Sequence, residues 1–469
     1  MEATHSPMIN KTTEHLRHWR NSLSALEDRW VRLVLLTVML LALLIRIYVV
    51  YSYEMPAFTY GENSHIAVNL VEGKGYTYSL YGLRPESPLQ SFVPPLYTWI
   101  VWLCLVAFRD APHALGVVHA VFGTITLPLL FYIAHKLTNS KISALIAAAC
   151  TAFYPPLILS IIRPQTLTLN VLLIALLLAV SVKLYERRNL LWSAGFGLVL
   201  GMALHSRPML LIYVFILIAW LYLNGVTAKK LLKIGFVVMM SAITVSIPWT
   251  ARNYRIHQRI VFMATNGGFN FWTGNNSFTT GSGHEVYTDG AYAFLGHEVK
   301  QGEPPIQEMH RYPLPVDIAE RITTISEVEL DHQLYVAGFE YIREHPAEWL
   351  HLMWVKFGGF VWFRTNIGSR YEESWTLYYK YLYAALLVPF VIGVALSISK
   401  WRWYSLLYML FGYYTVFYTV FHVQTRYRWE IEPYVFVFVA LTVTAAMKAI
   451  PGAMHSRMRP KAPKTSGVA

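Results

Sequence analysis

The chain has 469 residues, of which 55% are hydrophobic and 14% charged, with a mean hydropathy of +0.38; this excludes an ordinary soluble globule. Its net charge of +12 is not the footprint of a nucleic-acid binder, because the lysines and arginines sit in short segments between apolar runs. Two cysteines, Cys104 and Cys150, both lie inside apolar runs and exclude a disulfide framework or a CxxC metal site.

Residues 1–29 form a polar, basic arm, and the apolar run at 32–50 lacks a small-residue cleavage site, so it reads as an uncleaved anchor. Further apolar runs lie at 114–134, 143–160, 167–184, 191–205, 208–224, 232–250, 381–399, 403–421 and 432–448. Runs of this kind, about 17–22 residues each, are long enough to cross a hydrocarbon core of ~30 Å as helices. The predicted fold is an all-α polytopic membrane protein, a bundle of about 10–12 transmembrane helices with outer-face loops.

Basic residues mark the inner loops: Lys136 and Lys141; Lys183, Arg187 and Arg188; Lys229, Lys230 and Lys233; Lys400 and Arg402; and the tail after Lys448. The apolar run at 93–109 would reverse this pattern if it crossed the membrane, so it is expected to lie along the surface or re-enter. Both termini then face the cytoplasm, while 51–92, 161–166, 206–207, 251–380 and 422–430 face out. The chain divides into a cytoplasmic arm (1–29), a bundle carrying the first outer loop (30–250), an outer segment with interfacial helices (251–380), closing spans (381–448) and a basic tail (449–469).

The first outer loop contains GENSHIAVNLVEGKGYTYSLYG and leads through Pro94-Pro95 into the next apolar run. Ile66, Ala67 and Leu70 recur at helical spacing behind Glu62, and Gly73 and Gly75 supply a turn. A carboxylate held at a bilayer face is a candidate general base, which makes Glu62 the leading catalytic candidate. Glu54 lies nearer the membrane end, and Glu72 reads as a helix C-terminal residue. His65, one helical turn on, is placed to orient Glu62 or a substrate. The plain alternatives are a solvated loop glutamate and a satisfied polar histidine.

Four arginines fall in short outer loops: Arg163, Arg207, Arg426 and Arg428. The guanidinium fork suits bidentate phosphate binding, and charge at membrane depth usually marks a site. Any one of them alone would read as a snorkelling or capping side chain. Arg252 and Asn253 lie in PWTARNYRIHQR, where Pro248 is expected to end the span; interfacial anchoring and substrate binding are equally served.

The outer segment opens with TNGGFNFWTGNNSFTTGSG, a pattern of tight turns. Helical spacing follows from Val316 to Pro346, and AEWLHLMWVKFGGFVWF suits a helix at headgroup level. No phosphate-binding glycine loop, HExxH or nucleophile-elbow serine occurs. The scattered histidines do not support a metal site, a lone divalent ion held by acids being the open alternative, and no cofactor is expected.

These motifs together resemble the large membrane glycosyltransferases of the protein O-mannosyltransferase superfamily, the GT-C type, whose bacterial branch includes the aminoarabinose lipid A transferases. The likeness runs over about 30–445. It is carried by Glu62 before IAVNLVEGKGY, Pro94-Pro95-Leu96-Tyr97, the Arg163 loop, PWTARNY, NGGFNFWTGNN, EHPAEWLHL and RYRWEIEPY. The first-loop acid of that family is commonly aspartate, often in an Asp-Glu pair, where this chain has Gly61-Glu62.

The resemblance implies transfer of a sugar from a polyprenyl-phosphate donor to a lipid, glycan or protein acceptor at the outer face, generally with inversion. It further implies arginines on the lipid phosphate and a multi-pass location in the cell inner membrane. From composition, Phe269, Phe271 and Trp272 are expected to cover the sugar. A transporter, or a ligase or polymerase of lipid-linked polysaccharide, are the rival classes; the lack of internal repeats and the clustering of charge on one face count against transport.

Overall fold

The computed structural model describes residues 7–55, 58, 61–80, 82–277, 279, 281, 314–362 and 373–457, with side chains from 28 to 449 within those ranges except 373–376. Among them the secondary structure is helical, with a lone bridge between Tyr78 and Leu89. The chain is an all-α polytopic membrane protein.

Helix α1 (Pro7–Ser52) carries the first candidate span over Asp28–Ser52. Helix α2 (Glu62–Val71) lies in the first outer loop, and α3 (Pro95–Ala107) starts at Pro95, whose missing N–H is no loss at a helix start. The 13 residues of α3 rise about 20 Å, short of the ~30 Å core. Helix α4 (Ala111–Thr138) is long enough to span and ends in a left-handed Asn139.

The run at 143–160 is broken. Helix α5 (Lys141–Ala152) and the short α6 (Pro155–Leu159), extended by a 3-10 turn to Ile162, meet at 49°. Pro155 and Pro156 lack the N–H groups a continuous helix needs. Helix α7 (Leu167–Arg187) is the most enclosed span. The run at 191–205 yields α8 (Leu190–Leu204), and the run at 208–224 opens as a 3-10 turn at Pro208–Ile212 before α9 (Tyr213–Leu223).

Helix α10 (Ala228–His257) corrects one expectation: Pro248 lies inside it and the helix continues to His257. An interior proline removes one ladder bond, which a membrane helix tolerates. In the outer segment, α11 (Gly267–Gly274) precedes α12 (Val316–Glu320) and α13 (Glu327–Glu344). The helical pattern at 316–346 is thus two helices, because the Ser326 hydroxyl accepts the Glu329 N–H and starts α13 afresh. Helix α14 (Pro346–Val361) follows at the predicted place.

Helix α15 (Glu373–Ser397) and α16 (Trp401–Val420) form a hairpin around a 3-10 turn at Ile398–Lys400. Phe390 and Phe411 pack with ring centroids 5.8 Å apart, where one straight helix would hold them about 30 Å apart. A one-turn α17 (Thr425–Trp429) leads to α18 (Glu432–Arg457).

Candidate active site

The first outer loop folds its apolar side chains into the main core of the bundle. Tyr76, Tyr78, Leu80, Leu83, Leu89 and Phe92 are buried with Ile66 and Ala67 of α2. Gly73 adopts φ 76° just after Glu72, the residue that ends α2, as the sequence predicts. Glu62 is the first residue of α2, half-buried, behind Gly61 at φ 80°. A carboxylate there faces the positive end of the helix dipole. His65 is half-buried with its ring 6.1 Å from that of Tyr78.

The first turn of α3 gathers the candidate residues. Thr98 donates its hydroxyl to Asn63, the neighbour of Glu62, at 2.9 Å. The Leu96 N–H donates to the His205 carbonyl at 2.9 Å, two residues before Arg207. Tyr97 reaches His119 of α4, whose other ring nitrogen donates to the Ile161 carbonyl, two residues before Arg163. The acid loop, the Arg163 segment and the Arg207 turn therefore meet around Pro95–Thr98.

RYRWEIEPY completes the cluster. Arg207 and Arg426 both lie over the Tyr427 ring, 5.5 and 5.6 Å from its centroid. Arg207 pairs with Glu430 at 2.7 Å, and Glu430, fully buried, also accepts from Asn170 and Tyr414. Arg426 donates to Gln165, two residues beyond Arg163, at 3.1 Å. Among the described residues, Arg426 meets no carboxylate, so its charge is available to an anion.

Two predicted ligand-binding arginines are otherwise engaged. Arg428 is buried, donating to Glu432 at 2.7 Å, to the Phe360 and Trp362 carbonyls and to the Tyr379 hydroxyl, with its guanidinium 3.6 Å from the Tyr383 ring centroid. Four of its five N–H donors are used inside the protein, and Arg428 acts as an internal clamp. Arg252 donates to the Gln90 carbonyl, Ser91 and Asn253, and lies over Trp249. It secures the end of the first loop to α10. Glu327 completes this lock by accepting the Gln90 and Ser91 N–H groups and the Thr265 hydroxyl.

Ser91, His257 and Glu327 adjoin, but Ser91 and Glu327 both approach the same nitrogen of His257, and Ser91 is fully buried. That is not a nucleophile-base-acid relay, which needs the acid on the other ring nitrogen. Phe269, Phe271 and Trp272 do not form an open cover. All three are buried; Phe269 packs on Phe92, and Phe271 on Tyr335, Phe339 and Phe421. Among the described residues, no three His, Cys, Asp or Glu side chains gather as a metal-ligand set.

Sequence reasoning missed Glu430, Glu327, Asn170, His119 and Arg46. The signal for the last three was a polar residue inside an apolar run, expensive in a membrane and kept only for a reason.

Residues 92–251 match the model of the dolichyl-phosphate-mannose-protein mannosyltransferase family. That match covers about a third of the 469-residue chain. Among solved structures it is similar to the archaeal oligosaccharyltransferase AglB from Archaeoglobus fulgidus in complex with an inhibitory peptide and a dolichol-phosphate. The identity is 11% and the TM-score 0.49, over 92% of this chain and 52% of that one. The apo form of the Archaeoglobus fulgidus oligosaccharyltransferase gives 11% identity and a TM-score of 0.48, over 92% and 53%. The chain spans about half the length of these two proteins. No curated protein matches it.

Proposed function

We propose that this glycosyltransferase moves a sugar from a polyprenyl-phosphate donor to a lipid, glycan or protein acceptor at the outer face of the cell inner membrane. The observation that carries the reading is the meeting of the Glu62 loop, the Arg163 segment, Arg207 and Arg426 around the first turn of α3 and the Tyr427 ring. A base for the acceptor and positive charge for the departing phosphate are what an in-line displacement of a phosphate ester requires.

In this reaction Glu62 takes the proton from an acceptor hydroxyl or amine. The acceptor atom bonds to the anomeric carbon as the carbon–oxygen bond to the carrier breaks, inverting that centre. Polyprenyl phosphate leaves with the electron pair, its negative charge met by Arg426 and Arg163. Arg207 serves less directly, since Glu430 neutralises it while it lies over the Tyr427 ring. His65 borders the acceptor side. The exchange needs no redox cofactor.

The test is transfer of radiolabelled sugar from a panel of polyprenyl-phosphate donors in proteoliposomes. Transfer by the wild type that collapses in a folded Glu62→Gln variant supports the reading; equal transfer by the two removes Glu62 from it. Absence of transfer from every donor overturns the proposed donor class.

A further inference from the structure

His119 is fully buried in α4 and bonded on both sides of its ring. Nδ1 lies 2.9 Å from the Ile161 carbonyl, which can only accept, so Nδ1 carries the hydrogen. Nε2 lies 3.1 Å from the Tyr97 hydroxyl, and in the neutral ring it accepts the hydroxyl proton. The two rings also stack, with centroids 5.8 Å apart and planes 13° from parallel. One tautomer alone satisfies both partners of a neutral ring.

What lies at either end gives this arrangement its consequence. On one side, Tyr97 is followed by Thr98, which holds Asn63 beside Glu62. On the other, Ile161 is two residues from Arg163, on the far side of the break between α5 and α6. That broken segment cannot hold its own shape through ladder bonds across Pro155 and Pro156. Its near end is fixed by Arg46, which reaches from α1 and donates from Nη1 to the Ala152 carbonyl at 3.0 Å. Its far end is fixed by His119.

We infer that Tyr97, His119 and the Ile161 carbonyl form a strut that sets the Glu62 loop against the Arg163 segment, with His119 a positioning residue for sugar transfer. The inference rests on the function proposed above. A strut of this kind governs the separation of acid and phosphate site, which acts on the rate of the chemical step; each half retains its own binding contacts. A misplacement of about 1 Å in such a geometry costs about 100-fold in rate.

The experiment compares the wild type with Tyr97→Phe, His119→Leu and His119→Asn in proteoliposomes. Tyr97→Phe keeps the stacking and loses the hydroxyl link; His119→Leu loses both links; Asn retains a donor for Ile161. Amide hydrogen exchange is read over residues 62–66 and 160–166, alongside polyprenyl-phosphate binding and the rate of transfer at saturating donor.

The strut predicts faster exchange in both segments for His119→Leu. It also predicts transfer lower by about 10–100-fold with polyprenyl-phosphate affinity within about twofold, and partial rescue by His119→Asn. Unchanged exchange in either segment overturns the strut, whatever the activity. Faster exchange with an unchanged transfer rate overturns the positioning role. A uniform loss of binding and transfer, without rescue by Asn, reduces His119 to a packing residue and overturns it as well. If the wild type transfers from no donor, the proposed function fails, and the exchange data still decide whether the two segments are mechanically joined.

Discussion

Arg207 and Glu430 meet at 2.7 Å across 223 positions of sequence, and this pair determines which arginine of the cluster remains open to a ligand. Glu430 is fully buried, so its charge requires Arg207, and Arg428 is committed to Glu432 in the same way. Arg426 is the residue of RYRWEIEPY with a guanidinium on the site and no carboxylate among its described partners.

Arg426→Gln is therefore expected to weaken binding of polyprenyl phosphate about 10–100-fold, the worth of one charge-assisted hydrogen bond, with the thermal midpoint unchanged. Binding and melting measured on the same detergent-solubilised protein check this. A lower midpoint with unchanged affinity would make Arg426 structural.

Arg428→Met should do the reverse. Removing one partner of a buried ion pair leaves an uncompensated charge and costs about 3–5 kcal/mol. The expected result is a large fall in thermal midpoint, recovered in part by the double variant Arg428→Met/Glu432→Leu. Failure of the double variant to recover would mean that the bonds to Phe360 and Trp362 matter more than the charge.

For Glu62→Gln, loss of a positioned base predicts a fall in transfer of about 10²–10⁴-fold, with donor affinity retained. Single-turnover transfer separates the chemical step from binding. A loss confined to affinity would assign Glu62 to binding.

Asp331 supplies a pH dependence. Its carboxylate accepts the Gly268 N–H at 2.6 Å at the start of α11, and burial pushes its pKa up to about 6, the backbone bond pulling the other way. The folded protein therefore holds this proton more tightly than the unfolded chain, whose ordinary value is 3.8. Its contribution to stability is full below about 4 and is lost as the pH rises through about 6. Asp331→Asn keeps an oxygen for Gly268 and should be more stable than the wild type at pH 7, with a flatter midpoint between pH 4 and 7. Parallel profiles for the two proteins would remove Asp331 from the account.

Leu350, Trp354, Phe357 and Val361 form an exposed apolar stripe along α14, opposite buried Leu352, Lys356 and Phe360. Lys356 meets the end of α16 at Val420 and Phe421, while Phe360 stacks on Tyr418 further back along it. Helix α14 thus descends beside α16, and its stripe is expected to contact acyl chains. A fluorophore on Trp354→Cys, in a background lacking Cys104 and Cys150, should be quenched by lipids carrying nitroxides near the headgroup. Quenching only by a water-soluble agent would set α14 outside the bilayer.

Local pattern was legible in this sequence where one element carries its own signal. The acid-first α2 with Gly73 behind it, the proline start of α3 and the helix at α14 all follow from spacing and cap chemistry. Partnership across the chain was not. Nothing in RYRWEIEPY distinguishes Arg426 from Arg428, because the difference lies in Glu432, Tyr379 and two carbonyls brought up by folding. Arg252 looked like a ligand residue because its use, on Gln90 and Ser91, lies 161–162 positions away. Pro248 misled in the other direction: a helix-breaker in water is absorbed by a membrane span.

Lys356 carries a consequence for how the chain is assembled. Its ammonium is wholly enclosed and donates to the carbonyls of Gly274, Val420 and Phe421 and to the Asn275 side chain, with no carboxylate nearby among the described residues. Burial pushes its pKa down to about 7, and those oxygens are what retain the proton. Two of them are synthesised more than sixty residues after the lysine itself. Until α16 has been inserted and its end has emerged, Lys356 has nowhere dry to go, so α14 waits in water. The packing of α14 therefore follows the synthesis of α16, and a ribosome stalled before Val420 would leave Lys356 without two of its acceptors.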